Sequence, residues 1–375
     1  MRASSAALRV ALAAALVVPA ACRSAAPPEP ARLARLDAGL GRILLVGFEG
    51  LALDDNATLD RLLCASRVGG VVLFARNIAS PEQVRALTAA MRARARACAD
   101  RSLLVAVDAE GGRVMRLGPA AGYPTTPSHQ DLGEANDLAA TELEARRIGA
   151  ALRAAGIDWN LAPVVDVGYN PANPVIVGAG RAFSANPLWV TAQARAYLAG
   201  MHAAGVLTAL KHFPGHGSSY ADSHVGFVDV TRTANPEVEL LPYRTLVAER
   251  AVDSVMTAHV FNRNLDPRRP ATLSPATITG LLRGEVGWKG PVVSDDLRMA
   301  AIAEQYGLER AAVLALAAGV DILLIADDRL PDGGSAAEVA LAAIREALAR
   351  GRLDPARVEM AVANLDALTS RALTR

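Results

Sequence analysis

The chain has almost no excess of charge of either sign: 39 lysines and arginines face 38 aspartates and glutamates, a formal +1 over 375 residues. That balance lacks the broad basic face with which a protein meets phosphates, so no nucleic-acid partner is expected. The one dense basic stretch, "MRARARACADR" (91–101), reads as the solvated outer face of a helix. The apolar run "VALAAALVV" (10–18) is too short for a comfortable membrane span, which needs roughly 20 residues. No G-x-G-x-x-G follows the first strand-like run, which removes the dinucleotide-binding reading. Cysteine is scarce, with 3 in the whole chain, and none lies near the histidines.

The N-terminus reads as a targeting segment. Arg2 and Arg9 precede the apolar run, and small residues follow it, which is the pattern of an export signal over 1–21. An Ala/Pro-rich linker over 22–35 leads to a catalytic domain over 36–375. The expected location is outside the cytoplasm, periplasmic or anchored in a bacterial envelope. Cys22 after Ala20 and Ala21 fits a lipidated lipoprotein cysteine, although Pro19 stands where leucine is usual. Ordinary cleavage near Ala20 is the other reading, and both stay open. Cys64 and Cys98 fall near the ends of two successive helical stretches and could pair in an oxidising compartment. The simpler reading, two small buried apolar side chains, is preferred.

What the chain does have is a repeated theme: a short apolar run, a polar punctuation, a helical stretch. The runs are "ILLVGFEG" (43–50), "GGVVLFARN" (69–77), "SLLVAVDAEGG" (102–112) and "IDWNLAPVVDV" (157–167). They continue with "GVLTALKHFPGH" (205–216), "DSVMTAHVF" (253–261), "GPVVSDDL" (290–297) and "VDILLIADD" (320–328). Between most of them lie segments of helical spacing, such as 81–95 and 137–156. Apolar strands alternating with helices predict a parallel sheet covered on its outer face. Eight such units predict an α/β fold, a single (β/α)8 TIM-like barrel, with the segment after 334 as closing helices.

Polar residues collect where these runs end: Asp108 and Glu110, Asp166, Lys211 and His212, His259, then Asp295 and Asp296. In a barrel those ends converge on one mouth, where the chemistry of such folds resides. The stretch "KHFPGHGSSYADSH" (211–224) adds three of the 6 histidines. Their spacing is not that of common zinc sites, and Pro214 and Gly215 prevent His212 and His216 from lying one helical turn apart. No metal and no cofactor are expected.

"VDAEGGRVMRLG", "LAPVVDV", "GRAFSANP", "KHFPGHG", "DSH" and "SDDLRM" stand between residues 107 and 299. In this order they resemble glycoside hydrolase family 3, most closely its β-N-acetylglucosaminidases of the NagZ type. The resemblance implies a retaining exo-β-N-acetylglucosaminidase that releases terminal GlcNAc through a covalent glycosyl-aspartate. Peptidoglycan fragments or chitooligosaccharides would be the substrates. It assigns Asp295 as nucleophile, with Asp296 as its neighbour, and His224 as acid/base paired with Asp222. It places Asp108, Arg116, Arg181, Lys211 and His212 on the sugar. His216 reads as a support of its loop, and Glu110 and Arg113 as supports of the strand-three turn.

These roles suit the residue types. A carboxylate at a rigid strand end can attack an anomeric carbon, and an imidazole titrates where it can give and take a proton. Asp222 would orient the ring of His224 and favour its protonated form. Glycines and proline in 214–217 are hinges on which the loop could carry His224 over a bound sugar. Three departures stand out: "DAEGG" where glutamine often follows the aspartate, "GRAFSANP" for the commoner "RSFG", and "SSYADSH" where Asp-Thr often begins the segment. None removes an assigned residue. The alternatives are a β-GlcNAc phosphorylase or β-glucosidase of the same family, and a non-catalytic glycan-binding lipoprotein. A monomer is expected.

Overall fold

The computed structural model describes residues 30–54 and 56–374. The expected export signal and Cys22 lie outside them.

Each apolar run supplies one barrel strand: β1 (Leu44–Val46), β2 (Gly70–Leu73), β3 (Leu104–Val107), β4 (Trp159–Asn160), β5 (Leu207–Phe213), β6 (Ser254–Thr257), β7 (Val292–Val293) and β8 (Leu323–Ile325). The strands pair in parallel in chain order from β1 to β7, and β8 lies beside β1. A parallel bridge from Val293 to Ile322 closes the ring. The expected α/β barrel is what forms.

Side-chain alternation along these strands decides what fills the barrel and what stands at its mouth. Leu45, Val72, Leu104, Ala106, Trp159, Leu207, Ala209, Met256, Val293 and Leu324 pack in the interior cluster. Their neighbours Leu44, Val71, Val105, Leu210, Val255 and Val292 face the helical layer instead. Leu365, Leu368 and Ala372 of the helix Pro355–Thr374 join the interior cluster. That closing helix therefore stoppers the N-terminal end of the barrel and leaves the C-terminal end open.

Local signals set the helix boundaries. Ser80 accepts from the Gln83 amide and Pro81 occupies the first turn of Pro81–Ala99; Asp100, in left-handed conformation, ends it. Asp137 caps Leu138–Ala154 through the amides of Ala139 and Ala140. The helix Pro30–Gly39 takes in the end of the stretch read as linker, and Arg32 pairs with Glu359 across to the closing helix.

Cys64 and Cys98 form a disulfide, with Cα atoms 5.4 Å apart. This corrects the preferred reading of two separate buried thiols. Both residues are half-buried, at the ends of the adjacent helices Ala57–Cys64 and Pro81–Ala99. The bridge closes a loop with a sequence separation of 34 residues. Loop-closure entropy then predicts that Cys64→Ser lowers unfolding stability by about 3–4 kcal/mol. Urea unfolding with and without reductant checks this: reductant should destabilise the wild type and leave the variant unchanged.

Candidate active site

The strand parity that fills the barrel also delivers the site. Leu104 and Ala106 face inward, and the next residue in phase is Asp108; Val293 faces inward, and the next is Asp295. β5 shifts register between Leu210 and Phe213, and there both Lys211 and His212 line the mouth, joined by a cis peptide bond. Arg116 follows the short hairpin Ala109–Gly111/Val114–Met115, and Arg181 enters from the loop after β4. Asp108, Arg116, Arg181, Lys211, His212, Asp222, His224 and Asp295 thus all line one cavity of about 390 Å³. Every sequence-assigned site residue is in it.

The charges are mostly neutralised in place. Lys211, 2% exposed, puts Nζ 2.8 Å from Asp108 and 2.7 Å from Glu110. Arg181 donates through Nε and Nη2 to both oxygens of Glu110, each at 2.8 Å. Burial alone would raise the Glu110 carboxyl, but Arg181 and Lys211 hold its pKa well below the usual range. Burial would likewise lower Lys211, and Asp108 and Glu110 reverse that, so it stays charged. Arg181 also faces His212 Nε2 at 3.2 Å. A guanidinium only donates, so Nε2 accepts and Nδ1 carries the proton given to Asp166 at 2.6 Å. The network presents a fixed set of donors and acceptors, which suits hydroxyls of a neutral ligand.

Asp295 is different. Asp108, Glu110 and Asp222 each have a basic partner, whereas Asp295 is in no ion pair among the described residues. It accepts one hydrogen bond, from the backbone amide of Asp296 at 2.8 Å. Burial raises its pKa, but the fields of His259 and His212 and that amide outweigh it, so the carboxyl lies below its ordinary value. It is ionised and held by that single hydrogen bond. Asp296 is tied down instead, accepting from the amides of Ala326 (2.9 Å) and Arg298 (3.1 Å), and burial pushes its pKa up. One carboxylate lines the cavity with a single hydrogen bond, and its neighbour holds the strand end.

The loop between β5 and the short strand Val228–Asp229 has a fixed root and an exposed tip. His216 donates its amide to Asp166, and its ring meets Ser219 (2.8 Å) and Ser223 (3.1 Å), as expected of a loop support. Asn170 and Asn173 bond the carbonyls of Ser218, Ser219 and His216. Beyond this root Tyr220, Val225 and Phe227 are exposed. His224, 58% exposed in its side chain, holds Asp222 through Nδ1 at 2.6 Å. Burial would raise the Asp222 carboxyl, but the amide and ring of His224 bring it below its ordinary value. Asp222 therefore remains an anion, Nδ1 is the donor, and Nε2 is left for a ligand.

Residues 35–368 match the glycosyl hydrolase family 3 N terminal domain. The chain belongs to glycoside hydrolase family 3. A β-hexosaminidase of Alkalilimnicola ehrlichii is 41% identical over 290 residues, covering 75% of this chain and 80% of that protein. One from Stenotrophomonas maltophilia (strain R551-3) is 41% identical over 298 residues, covering 77% and 85%. Among solved structures, a family 3 β-N-acetylglucosaminidase from Paenibacillus sp. FPU-7 superposes with a TM-score of 0.84 at 38% identity, over 90% of this chain. This chain spans 62% of that one. A β-N-acetylhexosaminidase from Beutenbergia cavernae gives 0.79 at 32% identity, over 89% of this chain and 98% of its own. The family 3 barrel is therefore that of a glycoside hydrolase.

Sequence reasoning undervalued two residues of this family 3 site. Glu110 does more than support the strand-three turn: it is the joint between Arg181 and Lys211. Asp166, noted only as a strand-end residue, fixes His212 and the root of the loop after β5 together. Its place after "LAPVV" was the available signal. Arg113 does act as a support, bonding the Gly178 carbonyl.

Glu239 was not singled out at all. Its side chain lies buried directly behind Gly215, where an added Cβ would meet it at 2.8 Å. Oε1 has no hydrogen-bond partner among the described residues. Burial, with the field of Asp166, pushes its pKa from 4.5 up to about 7. A carboxyl raised on folding contributes stability below pH 4.5 that is lost as pH rises through 7. Replacing it removes that loss: Glu239→Gln should be about 3 kcal/mol more stable than wild type at pH 8, with little difference at pH 4. Urea midpoints of both proteins across this range check the expected divergence.

Proposed function

We propose that this glycoside hydrolase is a retaining exo-β-N-acetylglucosaminidase of the bacterial envelope, releasing terminal GlcNAc from peptidoglycan fragments or chitooligosaccharides. The observation that carries the reading is the convergence of an unpaired Asp295 carboxylate, the His224–Asp222 pair and a neutralised donor–acceptor network on one small cavity. A cavity of about 390 Å³ suits one sugar ring rather than a long chain, hence terminal cleavage. The relatives named β-hexosaminidase and β-N-acetylglucosaminidase direct the choice of sugar.

Asp295 attacks the anomeric carbon while His224 Nε2–H protonates the departing oxygen, giving a glycosyl ester on Asp295. The ring then takes a proton from water, which attacks the anomeric carbon on the face opposite Asp295, breaks its bond to the ester oxygen and restores the carboxylate. Asp222, anionic throughout, stabilises the imidazolium and sets its tautomer. Lys211, Arg181, Arg116, Asp108 and His212 bind the hydroxyls. Since His224 is exposed and the loop root is fixed, the tip 220–227 closes over the bound sugar.

The Cys64–Cys98 bridge supports an oxidising location, in keeping with the N-terminal sequence. Turnover of aryl β-GlcNAc against aryl β-glucoside, in buffers with and without phosphate, tests the function. A strong GlcNAc preference with free GlcNAc as product in both buffers is expected. Glucoside preference would overturn the sugar, GlcNAc-1-phosphate would replace hydrolysis with phosphorolysis, and binding without turnover would make the protein a glycan receptor.

A further inference from the structure

Asp108 and Glu110 line the cavity, and Ala109 between them packs the other way, into the helical layer. β4 pairs with β3 only as far as Asn160 opposite Val107, so the backbone of Ala109 lies past the end of that ladder. Its buried amide and carbonyl still need partners. The side chain of Asn160 supplies them much as a further strand would. Its Oδ1 accepts from the Ala109 amide at 3.0 Å, and its Nδ2 donates to the Ala109 carbonyl at 2.9 Å. Tyr197, on the helix Pro187–Ala203, donates its hydroxyl to the same carbonyl at 2.8 Å and accepts from Asn160 Nδ2 at 3.2 Å. Asn160 and Tyr197 are fully buried, and neither lines the cavity.

The residue gripped in this way sits between the two acids that clamp Lys211, whose Nζ is 2.8 Å from Asp108 and 2.7 Å from Glu110. A shift of Ala109 would therefore move both carboxylates, and with them the lysine and the Arg181 fork on Glu110. Misplacing site groups by about 1 Å can cost about 10²-fold in rate, even when the cause lies away from the reacting atoms. We infer that Asn160, assisted by Tyr197, is a positioning residue of the active site. It touches no sugar, and through Ala109 it sets where Asp108 and Glu110 stand. The inference rests on the proposed function, which puts Asp108 on the sugar.

A double-mutant cycle separates positioning from a contribution to the fold alone. kcat/KM on aryl β-GlcNAc is measured for wild type, Asn160→Leu, Asp108→Ala and the two combined, each well below its melting temperature. Asn160→Leu should lower it about 50-fold in the wild type, and at most about fivefold once Asp108 is gone. The same factor in both backgrounds would overturn the inference. If Asn160→Leu fails to fold, Tyr197→Phe replaces it in the cycle, with an expected loss of about fivefold that falls below about twofold beside Asp108→Ala. Asn160→Asp provides a rescue, because a neutral carboxyl offers an acceptor and a donor in the same places as the carboxamide. Burial keeps that carboxyl neutral in acid, so at pH 5 the variant should stay within about fivefold of wild type. A loss there equal to that of Asn160→Leu would also overturn the inference. Wild-type turnover in the same assay judges the proposed function separately. Without turnover, the cycle is read from calorimetric Kd values for GlcNAc, with the same coupling expected.

Discussion

Asp295→Asn is expected to lower kcat on aryl β-GlcNAc on the order of 10⁴-fold, with the melting temperature nearly unchanged. The amide cannot form the glycosyl ester and brings no negative charge to the oxocarbenium-like transition state. The fold should tolerate the change because the Asn carbonyl can still accept from the Asp296 amide, the one hydrogen bond the side chain makes. Asp296→Asn is the control. Its Oδ1 accepts from the amides of Ala326 and Arg298, and an Asn carbonyl can do the same. That variant should keep activity within about tenfold of wild type, since only charge is lost at a group that reacts with nothing. Reversed effects in the two variants would exchange the roles of these adjacent carboxylates.

His224→Ala should show a loss that depends on the leaving group. A chitobiose-type substrate needs a proton on its departing oxygen, so its turnover should fall by about 10³-fold or more. An aryl glycoside with an acidic phenol leaves unaided, and its first step should change little. The second step still lacks its general base, so the glycosyl-enzyme should accumulate and product should appear in a burst. Stopped-flow release of the phenol reads both. An equal loss for good and poor leaving groups would reduce His224 to a binding residue.

Much of this was legible in the sequence because it rests on local periodicity. The alternation that buries Leu104 and Ala106 requires Asp108 to face the mouth, and Val293 does the same for Asp295. The eight apolar runs gave the strand count, and pairing in chain order follows from short right-handed crossovers. What stayed hidden depends on partners distant along the chain. Glu110 meets Arg181 71 positions later, and Asp166 meets His212 46 positions later. Neither pairing leaves a periodic trace. The Cys64–Cys98 bridge stayed the less preferred of two readings for the same reason: spacing places two helix ends near each other but cannot bring two sulfurs together. Glu239 offered no signal, since a glutamate in a short helix after Pro236 looks solvated until Gly215 packs over it.

A covalent bond between sugar and Asp295 would be trapped directly in a variant that cannot release it. His224→Ala is mixed with an activated aryl β-GlcNAc, quenched in acid during the burst, digested and sequenced by mass spectrometry. One N-acetylhexosamine is expected on the peptide "GPVVSDDLRM", fragmenting to place it on Asp295. Retained stereochemistry with no adduct would point to attack by the substrate's own acetamido group, and an adduct on any other residue would contradict the assignment outright.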